Sequence, residues 1–264
     1  MGVPTLGCDC AVCTSTDPHD RRLRPSILLR WREPGHAQER VVVIDTGPDF
    51  REQALRNGLK RVDAVFYTHP HADHIMGMDD LRPLSFTVFR EGGPIPLYAS
   101  PDAAKVLERI YDYTLSPGST YTMRARVQLK PLAERTLVYG VEFLRVPLLH
   151  GEMEIAGFRF GRAAYLTDVS VIPESSFALL EGLDLLVVSA LRHAPHPNHA
   201  TVEQAVAWAR RIGARQTWLT HIAHELGHEV TNRALPENIR LSYDGLSLPV
   251  NLDRSNNPQE SRLR

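Results

Sequence analysis

One short run constrains this chain more than any other feature: His69-Pro70-His71-Ala72-Asp73-His74, placed directly after the predicted strand Ala64 to Thr68. Three imidazoles and a carboxylate at this spacing suit borderline divalent metals, and a loop leaving a strand can turn alternate side chains toward two neighbouring ions. With 12 histidines among 264 residues, chance supplies such a run about once in a thousand chains of this length. An ordinary solvated polar loop is the competing reading. Six residues cannot fill a two-metal site, so further ligands are expected where other strands end. His150 follows the predicted strand Val141 to Pro147, Asp168 closes Ala163 to Asp168, and His221 follows Gln216 to Thr220. Strand ends are rigid mounts for ligands.

The surrounding pattern is that of an α/β protein. Further strands are predicted at Ser26 to Trp31, Val41 to Asp45, Leu97 to Ala99, Leu185 to Ser189 and Arg240 to Tyr243, and helices at Phe50 to Asn57, His74 to Leu84, Ala103 to Tyr111 and Thr201 to Ile212. Thr201 and Gln204 form a capping box for the last helix. No repeat or Gly/Ser linker divides the chain, so residues 1–250 are expected to form one domain and residues 251–264 a disordered tail. Segment 112–135 fits neither template and is expected to be a surface insertion near a pocket.

Thirty basic against 31 acidic side chains leave a formal charge of -1, which removes the electrostatic footprint of non-specific nucleic-acid binding. No 18-residue apolar run and no secretory pattern occur, so no membrane is expected and the reading is cytoplasmic. In a reducing compartment, three cysteines within six residues (Cys8, Cys10, Cys13) argue for metal rather than disulfides. A structural zinc wants four ligands, and His224 in Thr220-His221-Ile222-Ala223-His224 is the first choice for the fourth, His228 the second.

Taken together, these residues resemble the metallo-β-lactamase superfamily from about Gly2 to Val250. The resemblance implies an α/β (α+β) fold, an αββα four-layer sandwich. It implies that His69, His71 and His150 hold one divalent ion, that Asp73, His74 and His221 hold a second, and that Asp168 bridges both. The ions would be zinc or manganese. The cysteine cluster with His224 looks like the phosphoribosyl 1,2-cyclic phosphate phosphodiesterase branch, in which a structural zinc is held by three cysteines and one histidine. That branch implies a small cyclic phosphodiester substrate, 5-phosphoribosyl 1,2-cyclic phosphate first, with possible homodimerisation. His199, just before the capped helix, is then the candidate general acid beside Asp73 in the catalytic set. Arg82, Arg192 and His196 are candidate substrate contacts, and Asp79 or Asp80 candidate partners that orient ligand histidines. Asp45-Thr46-Gly47-Pro48-Asp49 reads as a structural turn rather than as catalysis. Competing readings are a phosphodiesterase of nucleoside cyclic phosphates or short oligonucleotides, and a non-hydrolytic zinc-stapled scaffold similar to the pyrroloquinoline quinone biosynthesis B proteins. Ribonuclease Z shares the catalytic pair, but the chain shows no basic arm for transfer RNA. Relatives in this branch generally begin with a further strand before Gly-Val-Pro, whereas this sequence starts at Met1-Gly2-Val3-Pro4, so either the start codon is misassigned or a sandwich edge is shortened.

Overall fold

Apolar runs without alternation predict strands covered on both faces, and the arrangement of this chain obeys that rule. A computed structural model describes residues 2–33 and 35–252. The first sheet has the order β1 (Ile27–Arg32), β2 (Glu39–Ile44), β3 (Ala64–Phe66), β4 (Ile95–Ala99) and β5 (Val127–Pro131). The second runs β12-β11-β10-β9-β8-β7-β6, comprising β6 (Arg135–Val138), β7 (Val141–His150), β8 (Met153–Phe160), β9 (Ala163–Leu166), β10 (Leu185–Ser189), β11 (Gln216–Thr220) and β12 (Ile239–Leu241). The helices are α1 (Phe50–Arg56), α2 (Ala72–Ile75), α3 (Arg82–Gly92), α4 (Pro101–Ile110), α5 (Asp112–Leu115), α6 (Glu174–Phe177), α7 (Val202–Ile212) and α8 (His228–Ala234).

Alternate residues of each strand feed different cores, as a period of two requires. Val42 and Ile44 of β2 and Phe66 of β3 meet Phe143, Phe158 and Tyr165 of the facing sheet. Val43 and Val65 point the other way, against Phe50, Ile75, Leu81 and Leu107 from the helices outside the first sheet. Leu186, Val188 and Leu219 pack on Val202, Ala205 and Ala209 of α7 outside the second. Three cores separating four layers make the αββα sandwich that the sequence predicts.

Several elements differ from their sequence expectation. The helix expected at His74 to Leu84 is broken into α2, a 3₁₀ turn at Met78–Leu81 and α3. A Cβ on Gly77 would lie 2.1 Å from the Gly47 carbonyl oxygen, so the chain here packs backbone to backbone against the turn after β2. Segment 112–135 is not an unstructured insertion: it contains α5 and then β5, which pairs in parallel with β4 from Ile95↔Val127 to Ala99↔Pro131. Strands β6 and β8 also lack a clear sequence signal. The capping box of α7 forms, with Gln204 N–H on Thr201 Oγ1 at 3.2 Å and Thr201 N–H on Gln204 Oε1 at 2.9 Å. Of the expected tail, residues 253–264 lie outside the described residues, whereas Asn251 is placed and accepts the Arg162 N–H at 2.9 Å.

Phe66 occupies the centre of the inter-sheet core, its ring 4.5 Å from Phe143 and 4.7 Å from Tyr98. Phe66→Ala is expected to cost about 3–5 kcal/mol, read as a lower midpoint in urea with the slope unchanged. A loss below about 1 kcal/mol would contradict this packing.

Candidate functional site

The ligand-type side chains sit at the C-terminal ends of strands from both sheets. β3 ends at Phe66, the loop after it carries Thr68 and His69, and His71 then precedes α2, so Asp73 and His74 fall in its first turn. His150 is the last residue of β7, Asp168 lies two residues beyond β9, and His221 follows β11. Asp45, Asp168 and His221 hold φ values of 65°, 55° and 53°, a left-handed conformation that costs a side-chain-bearing residue free energy. Three such residues at one site show that the surrounding fold dictates where these side chains go.

The ligand atoms of His69, His71 and His150 lie within 4.8 Å of one another, as do those of Asp73, His74 and His221, and those of His69, His74 and Asp168. Asp168 Oδ1 is 3.3 Å from His74 Nε2, and Asp168 Oδ2 is 3.3 Å from His221 Nε2 and 3.8 Å from His69 Nε2. Asp73 Oδ2 is 3.7 Å from His221 Nε2 and 3.9 Å from His74 Nε2. Two ligands on one tetrahedral ion with bonds near 2.1 Å stand about 3.4 Å apart, so these spacings fit ions shared between the side chains.

Hydrogen bonds fix which nitrogen faces inward. His74 Nδ1–H donates to Asp45 Oδ2 at 2.7 Å, and Asp45 also accepts the Thr68 N–H at 2.9 Å and the Thr68 hydroxyl at 2.8 Å. With its proton committed to Asp45, Thr68 Oγ1 accepts from His69 Nδ1–H at 2.9 Å. His150 Nδ1–H donates to the Asp168 carbonyl oxygen at 2.7 Å. Each bond leaves an Nε2 lone pair for a cation. The Nε2 atoms of His69, His74 and His221 are buried without a hydrogen-bond partner, a costly arrangement unless an ion satisfies them.

Charge points the same way. Burial alone would raise the Asp168 carboxyl, but the imidazoles of His221 and His74 hold it well below the usual carboxylate range. Burial alone would lower His74, yet Asp168 and Asp45 hold it well above the usual histidine range, so a cation bound at its Nε2 takes the place of a proton. The pocket therefore draws positive charge to the place where a metal would sit.

A second cluster gathers Cys8, Cys10 and Cys13 around His224, whose Nδ1 is 3.2, 3.3 and 3.7 Å from the three Sγ atoms. Sulfur and nitrogen ligands on a tetrahedral zinc stand about 3.6 Å apart. The backbone N–H of Cys13 and the His224 ring bring the Cys10 thiol down to about 6, as a metal-binding thiolate requires. His228, the second choice for the fourth ligand, is not part of this cluster; its ring packs 4.6 Å from His19 and 5.8 Å from Tyr243.

His199 reaches the ligand cluster, its Nδ1 3.9 Å from Asp168 Oδ2 and its ring 4.7 Å from His150 and 4.8 Å from His221. Burial, helped by the nearby His221, pushes it down to about 3. His196 packs on His199 at 4.9 Å, and both line an adjoining cavity of about 460 Å³. Arg82 and Arg192 do not line it. Arg192 instead donates to the carbonyls of Ala194 and Pro195 and pairs with Glu225, holding its own loop together, and Arg82 opens α3. Among the described residues no hydrogen bond joins Asp79 or Asp80 to a ligand histidine. That orienting role falls to Asp45, which the sequence reading takes for a turn residue. Its signal was a carboxylate closing the apolar run Val41-Val42-Val43-Ile44, where only a partnered charge can be buried.

Residues 40–222 match the β-lactamase superfamily domain family. A solved structure described as a new diphosphatase from the PhnP family is 50% identical, with 96% of this chain and 94% of that one covered and a TM-score of 0.87. Zinc-bound PqqB from Methylobacterium extorquens shares the fold at 21% identity, 94% and 96% coverage and a TM-score of 0.68. Among curated proteins, an octanoyltransferase of Porphyromonas gingivalis is 36% identical over 250 residues, 93% of this chain but 48% of that protein. The chain thus spans about half the length of that curated relative.

If Asp45 sets the His74 and Thr68 orientation, Asp45→Asn will weaken metal binding about 10–100-fold, measured by competition with a chromogenic chelator. Unchanged affinity in a folded variant would contradict the assignment.

Proposed function

The chain belongs to the β-lactamase superfamily as a PhnP-like hydrolase of the metallo-β-lactamase fold, and from that premise we propose that it hydrolyses a small cyclic phosphodiester, with 5-phosphoribosyl 1,2-cyclic phosphate as the first candidate. The observation that carries the reading is the convergence of two ligand triads on the buried Asp168, with inward Nε2 atoms that lack other partners.

In this reading His69, His71 and His150 hold one divalent ion, Asp73, His74 and His221 the other, and Asp168 serves both. Such a pair, zinc or manganese, supplies Lewis acidity that brings a water toward ionisation at neutral pH and stabilises charge on the entering and departing oxygens. The chain's own groups do the remaining work. Asp45 and Thr68 keep the rings of His74 and His69 from rotating. His199 Nδ1, facing Asp168, holds the proton that the departing oxygen takes. In the free protein burial keeps that imidazole neutral, with its pKa pushed down to about 3. A phosphate anion beside it favours the protonated form, so the acid is charged together with substrate binding. Cys8, Cys10, Cys13 and His224 would hold a structural zinc that staples the N-terminal loop to the loop after β11.

A second reading, cleavage of a diphosphate linkage, is favoured by the 50% identity to a diphosphatase of the PhnP family. The two differ in the leaving group but not in the metal centre.

A panel of bis(p-nitrophenyl) phosphate, 5-phosphoribosyl 1,2-cyclic phosphate and a diphosphate diester separates them. We expect cyclic phosphate hydrolysis that chelation removes and that Asp168→Ala abolishes. His199→Ala should lower turnover of the cyclic phosphate about 10²–10⁴-fold, and that of the p-nitrophenyl ester less, because p-nitrophenolate leaves without a proton. Hydrolysis that survives both chelation and Asp168→Ala would contradict the metal-centred reading.

A further inference from the structure

The cavity beside His199 has a chemistry of its own. It lies between the β7–β8 turn, the loop 196–199 and the start of α7, and its lining includes Glu152, Ser170, His196, Asn198 and Gln204 but no lysine or arginine among the described residues. The Glu152 carboxylate is exposed and has no ion-pair partner among the described residues. The other polar groups are neutral, and hydrogen bonds fix the directions of Gln204, His196 and Ser170. Gln204 commits its Oε1 to the Thr201 N–H at 2.9 Å, which leaves its amide NH₂ as a donor. His196 Nδ1 accepts the Asn198 N–H at 3.2 Å, which places its proton on Nε2. Ser170 Oγ is spent between the Leu149 carbonyl and the Gly151 N–H, both at 2.9 Å. Gly151 has φ +61° and a Cβ there would lie 2.6 Å from Asn198 Oδ1, so the loop is seated tightly on the turn.

A carboxylate with neutral donors around it matches vicinal hydroxyl groups and repels an anion. The start of α7 does not reverse this. Its Gln204 N–H is capped by Thr201, and the first turn carries Glu203, itself bonded to His193 at 2.6 Å.

We infer that this cavity is the subsite for an uncharged polyhydroxyl group, a pentose or nucleoside sugar joined to the reacting phosphate, and that Glu152 selects against a second phosphate there. The inference rests on the phosphoester reading above and sharpens it. It keeps the cyclic phosphodiester but revises the first candidate, putting ribose 1,2-cyclic phosphate, without the 5-phosphate, ahead of 5-phosphoribosyl 1,2-cyclic phosphate.

The test compares ribose 1,2-cyclic phosphate with its 5-phosphorylated form on the metal-loaded enzyme. The expected ratio of kcat/KM is at least about tenfold in favour of the unphosphorylated ester, falling toward one in Glu152→Gln and inverting in Glu152→Lys, with the change in KM. A wild-type preference for the 5-phosphorylated ester, or a ratio that neither variant moves, overturns the inference. Saturation-transfer NMR keeps the two readings apart. Methyl β-D-ribofuranoside should bind the wild type, and ribose 5-phosphate should bind only Glu152→Lys. If neither ester is hydrolysed but this binding pattern holds, the reaction is misread and the subsite stands. Absence of riboside binding, or ribose 5-phosphate bound equally by the wild type, overturns the subsite.

Discussion

The Asp168 carboxylate is buried among imidazoles delivered by both sheets: His69 and His74 from the loop after β3, His221 from the end of β11. A charge taken out of water at this depth costs several kcal/mol unless opposite charge and hydrogen bonds repay it. The four-layer fold is the frame that makes the repayment available, because only where the strands of both sheets end together can ligands so distant in sequence reach one carboxylate. The left-handed φ values of Asp45, Asp168 and His221 belong to the same constraint. Each costs of order 1–3 kcal/mol, which the packed sandwich must offset, and each occurs where a side chain turns into the site.

Hydrogen bonds hold the rings of the candidate ligands from behind. Asp45 holds Thr68 and His74, Thr68 holds His69, and the Asp168 backbone holds His150. The cysteine cluster packs on the loop after β11. Arg22 pairs with Asp20 at 3.0 Å and donates to the carbonyls of Ala223 and Leu226. The segment carrying His221 and His224 is thus gripped from the N-terminal arm both by the thiols and by a buried guanidinium. The loop bearing His221 cannot move without breaking these contacts.

Much of this was legible in the chain itself, for physical reasons. Ligand residues occur at strand ends, where apolar runs stop abruptly at His or Asp, so His69 to His74, His150, Asp168 and His221 stood out and the structure brings them together. Three cysteines so close together call for a fourth ligand, and the His224 ring is the group that lies against their sulfurs. What escaped notice had weaker local signals. β5 and β6 hold Lys130, Arg135 and Thr136 on half-exposed strands, a pattern that resembles a loop until a neighbouring strand pairs with it. Asp45 reads as a turn residue in the sequence because its partners Thr68 and His74 come near only through tertiary contact. Arg82 and Arg192 read as cations for a phosphate site, but charge in the sequence carries no direction, and Arg192 is consumed by its own loop and Glu225.

Under the proposed function, Asp168 would be shared by two ions while a third would sit among the cysteines. The most direct measurement is a crystal structure of the metal-loaded protein with anomalous scattering, paired with elemental analysis per chain. The account predicts three peaks, two of them about 3.5–4 Å apart with Asp168 between, and one enclosed by Cys8, Cys10, Cys13 and His224. A single peak at the cysteines, with Asp168 bonded only to protonated histidines, would contradict it.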